Sequence, residues 1–208
     1  IEGAGASGGA EIRAAAGIGS VGTEKFTDDN DLSVDPDNVG TRGNVAAYIT
    51  GLLDGGGTPI TTDGVGAYEF LSSPAGVMEI TVKIANASLS GTQNMLVQLG
   101  TSGGFVTSGY SGAGLVTIGN AVDTLNFTTG CGILVGNSVR SFSGNVTFRR
   151  QGAASNLWTY SYSGGGGTAQ NAYAGGGDIS LGAECDRVRL TDSGAGTFTI
   201  QSVNAEWK

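Results

Sequence analysis

Glycine most restricts what this chain can become: 39 of its 208 residues are glycine, against 3 prolines. That share is far above the ~7% of ordinary proteins. No strict Gly-x-y period accompanies it, which excludes a collagen triple helix. Disorder fits poorly too, because 39% of the residues are hydrophobic and 13% are charged, whereas unfolded chains combine low hydrophobicity with high charge. Glycine set among short β-branched runs instead suits many tight turns between strands, since glycine adopts positive φ without steric cost. A chain of this length can bury a core without disulfide staples.

Two regions differ in pattern. Residues 1–57 read as a connector and residues 58–208 as a β domain. The connector opens on small residues that cannot bury enough side chain to fold alone. An acidic turn follows, and then Val45, Tyr48, Ile49, Leu52 and Leu53 recur at helical spacing. A short helix is therefore expected over 41–53, begun by Thr41 and ended by Gly55–Gly57. So short a helix is unstable alone, and its apolar stripe needs a partner.

From about Val65 the period becomes two. In Met78–Ile84, Met78, Ile80, Val82 and Ile84 are expected inward, with Glu79, Thr81 and Lys83 outward. Similar short runs continue to Thr197–Val203, and the clusters Gly164–Gly167 and Gly175–Gly177 read as turns. Many short alternating strands argue for an antiparallel sandwich or barrel. The expectation is an all-β, jelly-roll-like antiparallel β-sandwich.

The net charge of −8 repels phosphate backbones, so nucleic acid is not an expected partner. Basic residues come close together only at Arg149–Arg150 and at Arg187 with Arg189. No apolar run is long enough for a membrane-spanning helix, and the start lacks the pattern of a secretory signal. A first residue of Ile suggests a fragment or a processed product. The two cysteines, Cys131 and Cys185, read most plainly as isolated thiols, with a cross-strand disulfide as the alternative.

Histidine is absent, which removes Ser-His-Asp and Cys-His nucleophilic machinery and the usual zinc ligands. Paired carboxylates for glycoside hydrolysis remain formally present in Glu69, Glu79, Glu184, Asp123, Asp178 and Asp186. They sit singly in strands or turns, where a solvated position is the default. Asp29, Asp31 and Asp35 lie in an acidic run with the D-x-D spacing of calcium loops. The run lacks the glycine and the distal Glu of an EF-hand, and an Asx-rich turn explains it equally well. No cofactor or catalytic residue is expected. Aromatics are the better clue: Trp158, Tyr160 and Tyr162 alternate on one face, which suits a core more than a sugar platform. Tyr110 and Tyr173 fall in glycine-rich stretches read as loops, so Tyr110, Tyr173 and Tyr162 are the candidate ligand contacts.

The run from Ala87 through Gly-Thr-Gln-Asn-Met-Leu-Val-Gln-Leu-Gly to Ser111, and the ending Asp186-Arg-Val-Arg-Leu-Thr with Thr197-Phe-Thr-Ile-Gln-Ser-Val-Asn-Ala-Glu-Trp207, resemble a β-sandwich module of phage tail fibres and related virion proteins. The Asp-rich turn and the Val-x-x-Tyr-Ile pattern before the domain are similar to the connector that precedes such modules. The resemblance implies a virion protein at the distal part of a tail fibre. It would form a homotrimer alongside other virion proteins, with Val45, Tyr48, Ile49 and Leu52 contacting neighbouring subunits. Its partner would be a host-surface glycan or an outer-membrane receptor. A capsid decoration or cement protein is the alternative, and glycan hydrolysis comes third.

Overall fold

The computed structural model describes residues 58–166 and 171–208. The helix expected at 41–53, its stripe of Val45, Tyr48, Ile49 and Leu52, and the acidic candidates Asp29, Asp31 and Asp35 all lie outside the described residues.

The described residues form an all-β, antiparallel sandwich. Its strands are β1 (Ala67–Leu71), β2 (Glu79–Leu89), β3 (Met95–Thr101), β4 (Gly104–Phe105), β5 (Ser111–Ile118), β6 (Ala121–Phe127), β7 (Cys131–Ile133), β8 (Phe142–Arg150), β9 (Leu157–Gly166), β10 (Asn171–Ser180), β11 (Arg187–Asp192), β12 (Phe198–Thr199) and β13 (Ser202–Trp207). The smaller sheet has five strands in the order β1-β11-β3-β4, with β7 also paired to β3. The larger has eight, in the order β12-β2-β8-β9-β10-β5-β6, with β13 also paired to β2.

Period two fixes which side chains enter the core. In β2, Ile80, Val82 and Ile84 are buried while Lys83 is exposed, as alternation requires. Met78 departs from expectation: it precedes the strand and is 37% exposed. Between Ile84 and Ala87 the pairing register of β2 shifts, and Asn86 there has a φ of 49°. Asparagine tolerates the left-handed region better than most residues. The irregularity separates the stretch of β2 that pairs with β13 from the stretch that pairs with β12.

The core lies between the sheets and is rich in rings. Tyr68 meets Phe198 at 5.5 Å between centroids, Phe142 meets Tyr173 edge-on at 5.5 Å, and Phe148 meets Tyr160 at 5.4 Å. The large sheet admits these rings because glycines face them. Tyr160 on β9 is opposite Gly177 on β10, which is opposite Gly112 on β5. Tyr162, Gly175 and Gly114 form a parallel row. A Cβ at Gly112 would lie 2.1 Å from the Tyr160 hydroxyl, and one at Gly114 would lie 2.2 Å from that of Tyr162. Each phenol thus lies across two neighbouring strands on a floor without side chains. Gly164–Gly166 and Gly175–Gly177 are therefore strand residues, not the turns their clustering suggested.

The two sides of the larger sheet end differently. Along β12 and β13 the segment before β1 occupies part of the edge: Ile60 and Val203 exchange both backbone hydrogen bonds, Gly64 N–H donates to Phe198 O, and Phe198 N–H donates to Val65 O. On the far side, β6 pairs with β5, and every residue of β6 except Phe127 is exposed. Val122 and Leu125 are 59% and 43% exposed.

Candidate functional site

The three tyrosines proposed as contacts are core residues. Tyr110, Tyr162 and Tyr173 are 3%, 5% and 2% exposed. Tyr173 lies inside β10 rather than in a loop, and Tyr110 enters the core beside β3. Their ring faces are occupied by other aromatics, so they offer no surface for a sugar to stack on. Their burial follows from the glycine rows, which turn stretches read as loops into floor beneath the rings.

Tyr110 has a specific structural task. One side of β3 is shared by β7, which pairs with Met95–Val97, and by β4, which pairs with Gly100 and Thr101. Leu99 falls in the gap, and its N–H donates to the Tyr110 hydroxyl at 2.7 Å. The Tyr160 and Tyr162 hydroxyls, by contrast, are buried without a hydrogen-bond partner among the described residues. The same substitution should therefore act with opposite sign at two sites. Tyr110→Phe leaves a buried N–H unpaired and lowers stability by about 1–3 kcal/mol, whereas Tyr162→Phe is neutral or stabilising. Urea unfolding of the two variants measures this directly; equal destabilisation by both would contradict it.

Of the remaining sequence candidates, Glu69 and Asp186 meet at one arginine pair, while Glu79 and Glu184 pair with other arginines. Cys131 and Cys185 are free, buried thiols. Glu79 accepts from Arg149 at 2.9 Å and is near Lys208, and the Arg149 hydrogen bond holds its carboxyl below the usual range. Glu184 is 3.7 Å from Arg150. Among the described residues no cluster of carboxylates, cysteines or histidines is arranged to hold a metal ion. Concave surfaces are shallow: one is lined by Lys83, Asn145, Asn204 and Glu206, another by Ala113, Asn126 and Gly176.

A built polar surface does exist on the outer face of the smaller sheet. Arg187 and Arg189 are two apart on β11, so period two points both to the same side. Gly100 lies opposite Arg187 on β3, and a Cβ there would come within 2.7 Å of Arg187 Cγ. The missing side chain lets Arg187 lie over β3 toward Phe105, the residue that β4 pairs with Gly100. Both guanidinium carbons sit over the Phe105 ring, at 5.9 Å for Arg187 and 4.4 Å for Arg189. Arg189 Nε donates to Gln98 Oε1 at 2.8 Å, and Gln98 Nε2 donates to the Thr129 carbonyl at 2.6 Å. Gln98 is 3% exposed, so Arg189 is aimed by an enclosed group on its own face of the sheet. Arg187 grips Asp186 with Nε and Nη2, at 2.7 and 3.1 Å, and holds its carboxyl below the usual range. Glu69 approaches Arg189 Nη1 only to 3.6 Å and stays 45% exposed.

The Arg-x-Arg spacing was visible in the sequence. Phe105 and Gln98 were missed, because only the pairing of β3 with β4 and β11 brings them beneath those guanidinium groups. Fold and surface together define an antiparallel β-sandwich that displays a stacked arginine pair. Compared with known protein families, curated proteins and solved structures, the chain matches none of them.

Proposed function

We propose that this chain is a virion structural protein, the distal part of a phage tail fibre, that holds to the host surface as a homotrimer without breaking a bond. The observation that carries this reading is the fixed Phe105–Arg187–Arg189 surface, a recognition face on a rigid sheet, together with carboxylates that each face a separate basic partner. General acid–base work on a glycosidic bond needs two carboxyl groups flanking one bond. Glu69, Glu79, Glu184 and Asp186, each held by its own arginine, suit adhesion better. The sequence resemblance supplies the virion setting, and the helical spacing of Val45, Tyr48, Ile49 and Leu52 in the sequence suits assembly of copies. Weak contact per subunit becomes firm attachment when linked subunits bind together.

The expected result is that the purified chain sediments as a trimer, adsorbs to host cells and competes with phage attachment. Purified host polysaccharide should keep its chain length throughout. A protein that ignores cells yet coats purified capsids would replace this reading with that of a capsid cement protein.

A further inference from the structure

We infer that the outer face of the smaller sheet is a contact site for carboxylate-bearing sugars, with Arg189 and Arg187 as the recognising groups and Phe105 as their shared platform. The inference rests on the adhesion reading and names its ligand class.

The argument begins with what arginine does that lysine does not. Its planar fork matches a carboxylate with two parallel hydrogen bonds, and it stacks on aromatic rings. Two such forks over one ring, at 4.4 and 5.9 Å, have lost much of the freedom that binding would otherwise have to remove, which favours affinity. Arg189 is further restrained through Nε by buried Gln98, leaving its two terminal nitrogens directed away from that anchor. The present partner of Nη1, Glu69, is loose at 3.6 Å and about half exposed. An incoming carboxylate can take its place at small cost, because a long, partly solvated ion pair contributes little. Arg187 keeps Asp186 through Nε and Nη2, so its Nη1 remains for the same ligand. The bound Asp186 carboxylate in turn offers an acceptor for a sugar hydroxyl. Leu71, 55% exposed and paired with Arg187 across β1 and β11, extends the patch with an apolar edge for the C–H face of a pyranose. Arg149, more exposed than either, lies on the larger sheet against Glu79, with neither ring nor buried anchor beside it among the described residues.

The experiment uses the full chain flowed over immobilised polygalacturonate, with the neutral polysaccharide pullulan as the reference surface. Wild type should bind the first and ignore the second. Arg189→Ala and Arg187→Ala should each weaken binding at least tenfold. Arg187→Lys, which keeps the charge and the fold but loses the planar fork, should weaken it about threefold or more. Arg149→Ala should leave binding unchanged. Failure of wild type to bind, survival of binding in both alanine variants, or an equal loss in Arg149→Ala would overturn the assignment. Host-cell adsorption is measured in parallel: adsorption without polygalacturonate binding removes this site assignment but keeps the adhesion reading. Polygalacturonate binding without adsorption removes the adhesion reading instead.

Discussion

Gly114→Val should lower the stability of the domain by about 3 kcal/mol, the upper end of what overpacking a filled interior costs. A Cβ at this position meets the Tyr162 hydroxyl at 2.2 Å, the Gly132 carbonyl at 2.8 Å and the Phe127 ring at 3.2 Å. Two of these neighbours are rings held in the core and the third is backbone, so no flexible end can move aside. For a domain of this size the loss corresponds to a melting temperature lower by roughly 6–12 °C. Gly152→Val and Gly182→Val are the controls, because nothing lies within 4 Å of a Cβ at either position. Both should stay within about 0.5 kcal/mol of wild type. Adding Tyr162→Phe to Gly114→Ala should recover part of the loss, since it removes the nearest atom but leaves the Gly132 carbonyl. Thermal unfolding followed by circular dichroism reads all of these. A melting temperature for Gly114→Val equal to that of the controls would show that the phenol is not wedged against this glycine.

Alkaline pH should destabilise the protein far more steeply than its surface charge accounts for. Burial pushes the Cys185 thiol up to about 11, raises that of Cys131 well above its ordinary value, and raises the phenols of Tyr110, Tyr160 and Tyr162 as well. All five are neutral when protonated, and folding favours that form. The unfolded chain releases these protons at lower pH than the folded one. Stability is therefore fully present below the unfolded-state values and falls as pH rises toward the folded-state ones. From its ordinary value of 9.0 to about 11, Cys185 alone contributes a loss of about 3 kcal/mol, at ~1.4 kcal/mol per pH unit. Melting temperatures measured from pH 7 to pH 11 should hold steady to about pH 8.5, near the ordinary thiol value, and then fall. Replacing both cysteines by alanine should move the onset toward the range where phenols ionise. A flat profile to pH 11 would mean that these groups are less enclosed than the fold implies.

How far the fold was legible depended on how much each residue said by itself. Ile80, Val82 and Ile84 announced β2 through alternation, because side chains on a half-buried strand record the two faces directly. Glycine has no side chain to record a face. Gly175–Gly177 therefore looked like a turn, although it is the middle of β10. Its role appears only when Tyr160 and Tyr162 are set opposite it across the sheet, a relation of register rather than of local sequence. The same limit misplaced Tyr110 and Tyr173, whose glycine neighbours suggested exposed loops but instead make room for rings. The surface patch was half legible. Arg187 and Arg189 share a face by simple parity, whereas Gln98 and Phe105 join them through strands that are distant in sequence.

The unequal borders of the larger sheet bear on how copies can associate. A sheet open along both borders accepts a neighbour on each, and repeated addition runs on into a ribbon without a natural end. Among the described residues, the backbone of Ile60, Gly64 and Val65 occupies part of one border, at Val203 and Phe198, while β6 on the other is exposed from Ala121 to Asn126. Two copies meeting β6 to β6 would cover that edge in each other. Association through β6 alone would then stop at a pair instead of running on into a ribbon.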